Sequence, residues 1–214
     1  MLVAVFAISA VVASAASAAA PEFKPSTKQA FTGSSGTLTI ETTSLERITC
    51  SKVTSTGEIT GASTVGAVVL TLTECNDKEG AGCKLKTEGA KEGEIVTNAL
   101  VGTLGEVKTT EATSGVGLLL EPASGKVWAK VEGPCIPIGS GYLEGSLAAE
   151  VTPIKTLAKT AKLVFVGGKG VNKIRTVVIK GKETKPRLKG PWANECSWDT
   201  TETLTFKSNA VEIT

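Results

Sequence analysis

Residues 115–133, GVGLLLEPASGKVWAKVEG, contain the pattern that decides the fold. Two strand-length apolar segments flank a turn that holds Pro122 and Gly125. Apolar and polar residues alternate over AKVE in the second half of KVWAKVEG, as they do in a β-strand with one buried face. The uninterrupted apolar run GVGLLLE indicates a strand that is buried on both faces. This spacing predicts an antiparallel meander of short strands.

The same pattern recurs along the chain, for example in TLTIE at 37–41 and AVVLTLTEC at 67–75. The chain holds 29 threonines and 23 glycines, which is a composition typical of β-proteins. We therefore predict an all-β fold, an antiparallel β-sandwich or barrel of roughly ten to twelve strands. A single β domain is expected over 36–214, after an irregular lead-in over 21–35. A long hairpin is predicted around the glycine-rich turn at 167–170.

The alternation also predicts which side chains form the core. In the second half of the chain, Leu143, Leu147, Ala149 and Val151 are expected to face inward. The remaining predicted core residues are Leu38, Ile40, Val68, Leu70, Leu72, Val116, Leu118, Leu120, Val127, Val131, Val164, Val166, Val177, Ile179, Leu204 and Phe206.

The first twenty residues, MLVAVFAISAVVASAASAAA, indicate export. An apolar run that ends in small residues is typical of a signal peptide, and we expect cleavage after Ala18. A structural N-terminal helix is the alternative. No later segment has the roughly 20 apolar residues that a membrane-spanning helix needs. We therefore expect an extracellular protein, either released or loosely associated with the envelope.

Five cysteines in an exported chain predict two disulfides and one free thiol. A bridge between Cys75 and Cys83 across a hairpin end is the most economical, and Cys50 with Cys135 is then expected to form the second bridge. This pairing leaves Cys196 unpaired, although other pairings of the five stay open. The chain has no histidine and no C-x-x-C spacing, so we expect no metal site and no cofactor.

The formal net charge is +2, yet residues 151–190 hold eleven Lys or Arg against a single acid, Glu183. Such a segment is a candidate patch for an anionic polymer. The alternative is that neighbouring strands expose lysines on their outer faces. Nucleic acid is an improbable partner, because Phe165 is the segment's only aromatic residue. The basic residues are Lys155, Lys159, Lys162, Lys169, Lys173, Arg175, Lys180, Lys182, Lys185, Arg187 and Lys189.

Few residues point to catalysis. The absence of histidine excludes Ser–His–Asp and Cys–His mechanisms, which need an imidazole to move the proton. The 19 glutamates form no spaced motif, so a glutamate-dependent glycoside hydrolase stays only an alternative. Trp192 and Trp198 flank Cys196 and are a candidate platform for sugar rings, with core packing as the alternative.

Four elements carry a resemblance to a known group of proteins. They are GEITG at 57–61, the cysteines of EC…CK at 75 and 83, the run GEI…LVGTLG at 93–105, and LLLEPASG at 118–125. Through them, residues 31 to about 155 resemble a group of uncharacterised secreted β-rich proteins from soil actinobacteria. The resemblance implies secretion and a four-cysteine framework, and no activity is established for the group. Cys196 and its flanking tryptophans depart from the pattern.

Together these features predict a secreted, non-catalytic β-domain protein of the bacterial cell envelope or its surroundings. Its role would be structural or surface-binding, with an anionic polymer or a glycan as the partner. A barrel that encloses a small apolar ligand is one alternative, because segments such as VGLLLE and LVFV are continuously apolar. A glutamate-dependent glycoside hydrolase is the other.

Overall fold

The computed structural model describes residues 20–77, 83–108, 113–136 and 139–214, with residues 113 and 114 described in their backbone only. The predicted signal peptide over 1–20 and its cleavage after Ala18 lie outside these residues, except for Ala20. The described residues form β-strands and no helix, so they include no helix long and apolar enough to cross a bilayer.

The strands are numbered in chain order. They are β1 (Phe23–Lys24), β2 (Gln29–Ser35), β3 (Leu38–Thr42), β4 (Arg47–Cys50), β5 (Lys52–Gly61), β6 (Thr64–Thr73), β7 (Asn76–Asp77), β8 (Lys86–Thr87), β9 (Ile95–Val96), β10 (Leu100–Lys108), β11 (Thr113–Pro122), β12 (Val127–Glu132), β13 (Ser140–Gly145), β14 (Leu147–Thr152), β15 (Thr160–Phe165), β16 (Gly167–Gly168), β17 (Val171–Asn172), β18 (Thr176–Ile179), β19 (Lys182–Thr184), β20 (Leu188–Lys189), β21 (Cys196–Phe206) and β22 (Glu212–Ile213).

Eight of these strands close into a barrel. Their order is β15, β14, β11, β10, β6, β5, β2 and β21, and β21 pairs with β15 to complete the ring. Every pairing in the ring is antiparallel. The all-β prediction is therefore confirmed, and of the two architectures left open the structure is a barrel with additional strands.

The additional strands extend the barrel in two places. The first residues of β21 pair with β3, which continues through β4 to β7. A separate four-stranded sheet, in the order β20, β13, β12 and β8, packs its apolar face on the same core. Trp128 of β12 meets Trp198 of β21 there, with ring centroids 6.0 Å apart, and Phe165 lies 6.3 Å from Trp198. These aromatic contacts join the second sheet to the barrel.

Side chains fill the barrel interior. Phe31, Leu118, Leu163 and Leu204 come from different barrel strands and converge on one small cavity. That cavity has a volume of about 10 Å³, which is about the space that one water molecule needs. A ligand-enclosing barrel needs several hundred Å³, so this cavity does not support the apolar-ligand alternative.

The predicted irregular lead-in over 21–35 is wrong for β2, which is a barrel strand between β5 and β21. Gln29, Phe31 and Gly33 of β2 point inward and are buried. The sequence FTGSSG resembled a loop because glycine and serine have low β-propensity. Tertiary pairing on both sides overrides that preference.

The predicted core contains a one-residue error of register in β15. Leu163 and Phe165 are buried, whereas Val164 is half-buried and Val166 is 46 % exposed. Both neighbours of β15 fix its register, and a shift of one residue exchanges the two faces of a strand. Val127 and Ile179 are also only half-buried, whereas the other predicted core residues are buried.

Two predicted strand connections differ from the structure. Strands β11 and β12, both in the segment 115–133, belong to different sheets and do not form a hairpin. The turn at 167–170 joins only the two-residue strands β16 and β17, and β18 instead forms a hairpin with β19. Leu119 shows why the run GVGLLLE is apolar throughout. It packs outside the barrel against Val107, Ala148 and Val177, so that β11 is buried on both faces as predicted.

The structure contains two disulfides, the predicted number, but the predicted pairing is wrong. Cys50 is bonded to Cys75, and Cys83 is bonded to Cys135. Strands β5 and β6 pair Lys52 with Thr73, so Cys50 and Cys75 lie opposite each other two residues beyond that pair. Their equal distance from the hairpin turn was the sequence signal that would have identified this bridge.

Gly33 lies where the barrel has no room for a side chain. A Cβ at this position would overlap Glu202 Oε1 and Ser55 Oγ, which share a hydrogen bond inside the barrel. We expect Gly33→Ala to lower the free energy of unfolding by about 1–3 kcal/mol, as overpacked cores do. Gly36→Ala is the matched control, because a Cβ there meets no atom within 4 Å. It should change stability by less than about 0.5 kcal/mol. Urea unfolding of both variants measures the difference, and equal effects would contradict this account.

Candidate binding groove

The basic segment 151–190 does not form one continuous patch. All eleven cations predicted there are exposed, but they lie on several strands and loops of different sheets. Some have acidic neighbours: Arg187 Nη1 lies 3.4 Å from Glu195 Oε1, and the backbone N–H of Lys169 donates to Glu41 Oε2 at 2.7 Å. Only Lys162, Lys182 and Lys189 of the eleven lie in strands, and these strands do not pair with one another, so the arrangement also differs from the alternative of lysines on the outer faces of neighbouring strands.

Two of these cations meet at one surface cavity. Arg187 and Lys189 line it together with Lys126 and Glu144, and its volume is about 240 Å³. Lys126 lies outside the basic segment, so sequence position did not associate it with the other two.

A second cavity of about 340 Å³ adjoins the first at Glu144, which lines both. Tyr142 and Ser140 of β13 form one side, and Pro191 and Ala193 form the other. We call the two cavities together the β13 groove.

Strand alternation places the polar side chains of the groove on the outer face of the second sheet. Leu143 is buried, while its neighbours Tyr142 and Glu144 point outward, and Tyr142 is 51 % exposed. Strand pairing sets Lys130 opposite Tyr142 and Lys189 opposite Glu144. Directly opposite residues have Cβ atoms about 4.5–5.5 Å apart, so both cations lie beside the β13 side chains.

Gly141 lets the far wall approach β13. A Cβ on Gly141 would overlap the carbonyl group of Pro191. The turn that carries Pro191 is closed by the N–H of Ala193, which donates to the carbonyl oxygen of Gly190 at 2.9 Å. Backbone hydrogen bonds within the turn therefore hold the wall, and Asn194 Nδ2, which donates to Ser44 Oγ at 2.9 Å, also anchors it.

The charges of the groove are only loosely paired. Lys126 Nζ lies 3.2 Å from Glu144 Oε2, and Arg187 Nη1 lies 3.4 Å from Glu195 Oε1. The side chains of Lys126 and Arg187 are 75 % and 73 % exposed, and exposed pairs contribute little stability. At the edge of the groove, a hydrogen bond and charge attraction from Glu132 raise the pKa of Lys130. With the pair at the edge included, four cations (Lys126, Lys130, Arg187 and Lys189) face three acids (Glu132, Glu144 and Glu195), so the groove has an excess of one positive charge.

Tyr142 was not among the predicted site residues. The sequence carried a signal for it, because an inward Leu143 in the strand YLEG requires its neighbours to face outward. The missing information was the strand order, which brings β13 beside β20 and its cations.

The predicted sugar platform of Trp192 and Trp198 does not form. Trp198 is 1 % exposed and packs against Trp128 and Phe165, so neither face of its ring reaches solvent. Trp192 is half-buried against the core. The alternative prediction of core packing describes both rings.

Cys196 is the free cysteine of the described residues, and it is buried. Burial raises the pKa of its thiol to about 12. A thiol that stays protonated is a poor nucleophile and a poor metal ligand. No cluster of His, Cys, Asp or Glu in the described part of the chain could hold a metal ion.

Glu202 is the most deeply buried acid among the described residues. It lies inside the barrel, is 3 % exposed, and accepts a hydrogen bond from Ser55 Oγ. Burial raises its pKa, and the hydrogen bond from Ser55 opposes that effect only in part. Because it is enclosed by the barrel, Glu202 cannot reach a substrate on the surface.

Two carboxylates flank Lys189 at the groove, Glu144 and Glu195. Lys189 pairs with Glu144 across the sheet and forms a bridge with Glu195 on its other side, so a cation separates them. Each is also in an ion pair, Glu144 with Lys126 and Glu195 with Arg187. Glycoside hydrolysis needs two carboxyl groups that face each other across the scissile bond, and this arrangement differs from it.

Comparison with known proteins adds no relative: the chain matches no protein-family model, no curated protein and no solved structure. The interpretation of the groove therefore depends on its own geometry and charge.

The raised pKa of Glu202 predicts a pH dependence of stability. The folded chain favours the protonated carboxyl of Glu202 more than the unfolded chain does. The protonated carboxyl therefore contributes its full stabilising effect below the pKa that Glu202 has in the unfolded chain. That effect is lost as the pH rises through the folded pKa, at no more than about 1.4 kcal/mol per pH unit. Glu202→Gln should remove this loss and make the protein more stable than wild type at neutral pH. Urea unfolding between about pH 4 and pH 8 measures it.

The control for this measurement is Glu92→Gln, which makes the same change at an exposed turn position. It should keep the pH dependence of the wild type. A stability of Glu202→Gln that falls with pH as steeply as that of the wild type would contradict the assignment.

Cys196 should be unreactive in the folded, oxidised protein, because its thiol is buried and protonated at neutral pH. Labelling with iodoacetamide should modify no cysteine before unfolding and Cys196 alone after unfolding without reductant. Mass spectrometry of the unreduced digest should then yield the peptides Cys50–Cys75 and Cys83–Cys135. A disulfide peptide that contains Cys196 would refute the connectivity.

Proposed function

We propose that this is an exported, non-catalytic β-barrel protein that binds an anionic polymer of the bacterial envelope or its surroundings through the β13 groove. The observation that carries the proposal is the position of Lys126, Arg187 and Lys189 around one open cavity. Three cations of different strands and loops share this cavity with a single carboxylate, that of Glu144.

Electrostatics suits such a groove to a polymer. Every anionic repeat can occupy the same cations in turn, and binding releases the counterions that the polymer has condensed. The ion pairs of Lys126 with Glu144 and of Arg187 with Glu195 are exposed and weak. A polymer with many anionic groups can therefore replace them at little cost. The binding should therefore be strong at low salt and weak at high salt.

Export is supported by three observations. The two disulfides are typical of proteins that work in an oxidising compartment. The first twenty residues have the pattern of a signal peptide. The resemblance of residues 31–155 to secreted actinobacterial proteins points the same way.

Binding is favoured over the two alternatives by the shape of the protein. The filled barrel interior does not support a small apolar ligand. The carboxylates near the surface groove are ion-paired and are separated by Lys189, which favours binding over hydrolysis.

The test uses the mature, oxidised protein and two soluble polyanions, inorganic polyphosphate and polygalacturonate. The variant Arg187→Gln/Lys189→Gln removes two groove cations. If each contributes about 1 kcal/mol toward an anionic partner, the dissociation constant should rise about 30-fold at low salt. Calorimetric titration at several salt concentrations should also show a shallower salt dependence for the variant.

The matched control is Lys162→Gln/Lys180→Gln. It removes the same charge from the same segment at two exposed positions away from the groove, on β15 and in the β18–β19 turn. It should bind as the wild type does, apart from a small effect of net charge. Equal losses in both double variants, or no binding of either polyanion at low salt, would overturn the proposal.

A further inference from the structure

We infer that the polymer of the β13 groove is an acidic polysaccharide, with a sugar ring stacked on Tyr142 and its acid groups held by Lys189 and Arg187. This inference rests on the proposed function and narrows its partner from any polyanion to a carbohydrate. Three features of the groove carry it: the exposed ring, the carboxylate of Glu144, and the spacing between them.

Tyr142 is the one exposed aromatic residue among those that the structure describes. Eight aromatic rings lie in the described part of the chain; six are buried, Trp192 is half-buried, and Tyr142 is 51 % exposed. Its position on the outer face of β13, at the larger cavity, leaves the ring accessible. A tyrosine offers an apolar face together with a polar hydroxyl, which suits the C–H face and hydroxyl groups of a sugar.

Glu144 argues for a ligand with hydrogen-bond donors. An ionised carboxylate only accepts hydrogen bonds, and it repels a ligand made of phosphates alone. Yet Glu144 lies where the two cavities meet, so a bound chain passes it. Sugar hydroxyl groups can donate to this carboxylate while acid groups of the same polymer bind the lysines. The groove thus combines the partners that an acidic sugar needs.

The spacing fits consecutive groups of one saccharide chain. Tyr142 and Glu144 are two residues apart on β13, a distance of about 6.6 Å. Lys189 lies across the sheet from Glu144, and Arg187 lies next to it at the smaller cavity. A ring on Tyr142 therefore brings the adjacent acid group of the chain beside these two cations.

Single-stranded nucleic acid fits the groove less well. Proteins that bind it stack successive bases on several aromatic side chains. The described lining of the β13 groove has one such ring, that of Tyr142. Nucleic acid is therefore an outcome that the experiment must exclude.

The experiment measures the affinity of wild type, Tyr142→Ala and Tyr142→Phe for four probes. The probes are oligogalacturonate, its methyl ester, polyphosphate and single-stranded DNA. The control variant is Leu157→Ala, which removes a side chain that is 64 % exposed in the loop between β14 and β15. Circular dichroism and thermal unfolding confirm that each variant is folded.

We expect the wild type to prefer oligogalacturonate to the other three probes. Tyr142→Ala should weaken oligogalacturonate binding about tenfold, within the range of stacking on one aromatic ring, and leave polyphosphate binding unchanged. Tyr142→Phe should retain most of the affinity, Leu157→Ala all of it, and the methyl ester should bind weakly because its acid groups are neutral.

The outcomes separate this inference from the proposed function. If Tyr142→Ala binds every probe as the wild type does while Arg187→Gln/Lys189→Gln weakens them all, the groove binds polyanions and the carbohydrate inference is wrong. If single-stranded DNA binds most tightly and depends on Tyr142, the inference is also overturned. If no anionic probe binds at low salt, both proposals fail.

Discussion

The structure depends on the pairing of β21 with three other strands. Its first residues pair with β3, and its remaining residues lie between β2 and β15, which closes the barrel. The inner face of β21 supplies Trp198, Leu204 and Phe206 to the core. Because β2 and β3 lie near one end of the chain and β21 near the other, the closed ring requires contacts across almost the whole sequence. Such non-local pairing specifies the register of β2 more strongly than its own weak β-propensity does.

This closure explains the buried polar pair in the interior. Glu202 of β21 faces Ser55 of β5 across β2, where Gly33 provides the space for both side chains. A carboxyl inside a barrel is costly unless it is protonated or hydrogen-bonded. The structure combines a hydrogen bond from Ser55 with burial that favours the protonated form. The apolar contacts of the closed barrel offset the remaining cost.

Local patterns were sufficient for part of the fold, and strand order was the missing information. Alternation in β3, β6, β11 and β14 identified the core residues of those strands, because one face of each lies against the core. It failed in β15, where LVFV is apolar on both faces and only pairing with β14 and β21 decides that Leu163 and Phe165 point inward. The predicted disulfide pairing was wrong for the same reason. The short loop favoured Cys75–Cys83, whereas the strand register places Cys50 opposite Cys75.

The same limit applies to the groove. Sequence indicated an excess of cations over 151–190, but β13 and β20 become neighbours only in the folded chain, and Lys126 enters the groove from outside that segment. The cavity among the described side chains of the barrel interior has the volume of about one water molecule, so the proposed polymer would be recognised on the surface. On that surface the β13 groove brings together the ring of Tyr142 and the carboxylate of Glu144 on β13, Lys189 on β20, and Lys126 and Arg187 from the loops before β12 and β20. In the proposed complex the backbone of the groove is already in place, and the ordering cost falls on exposed side chains such as those of Lys126 and Arg187.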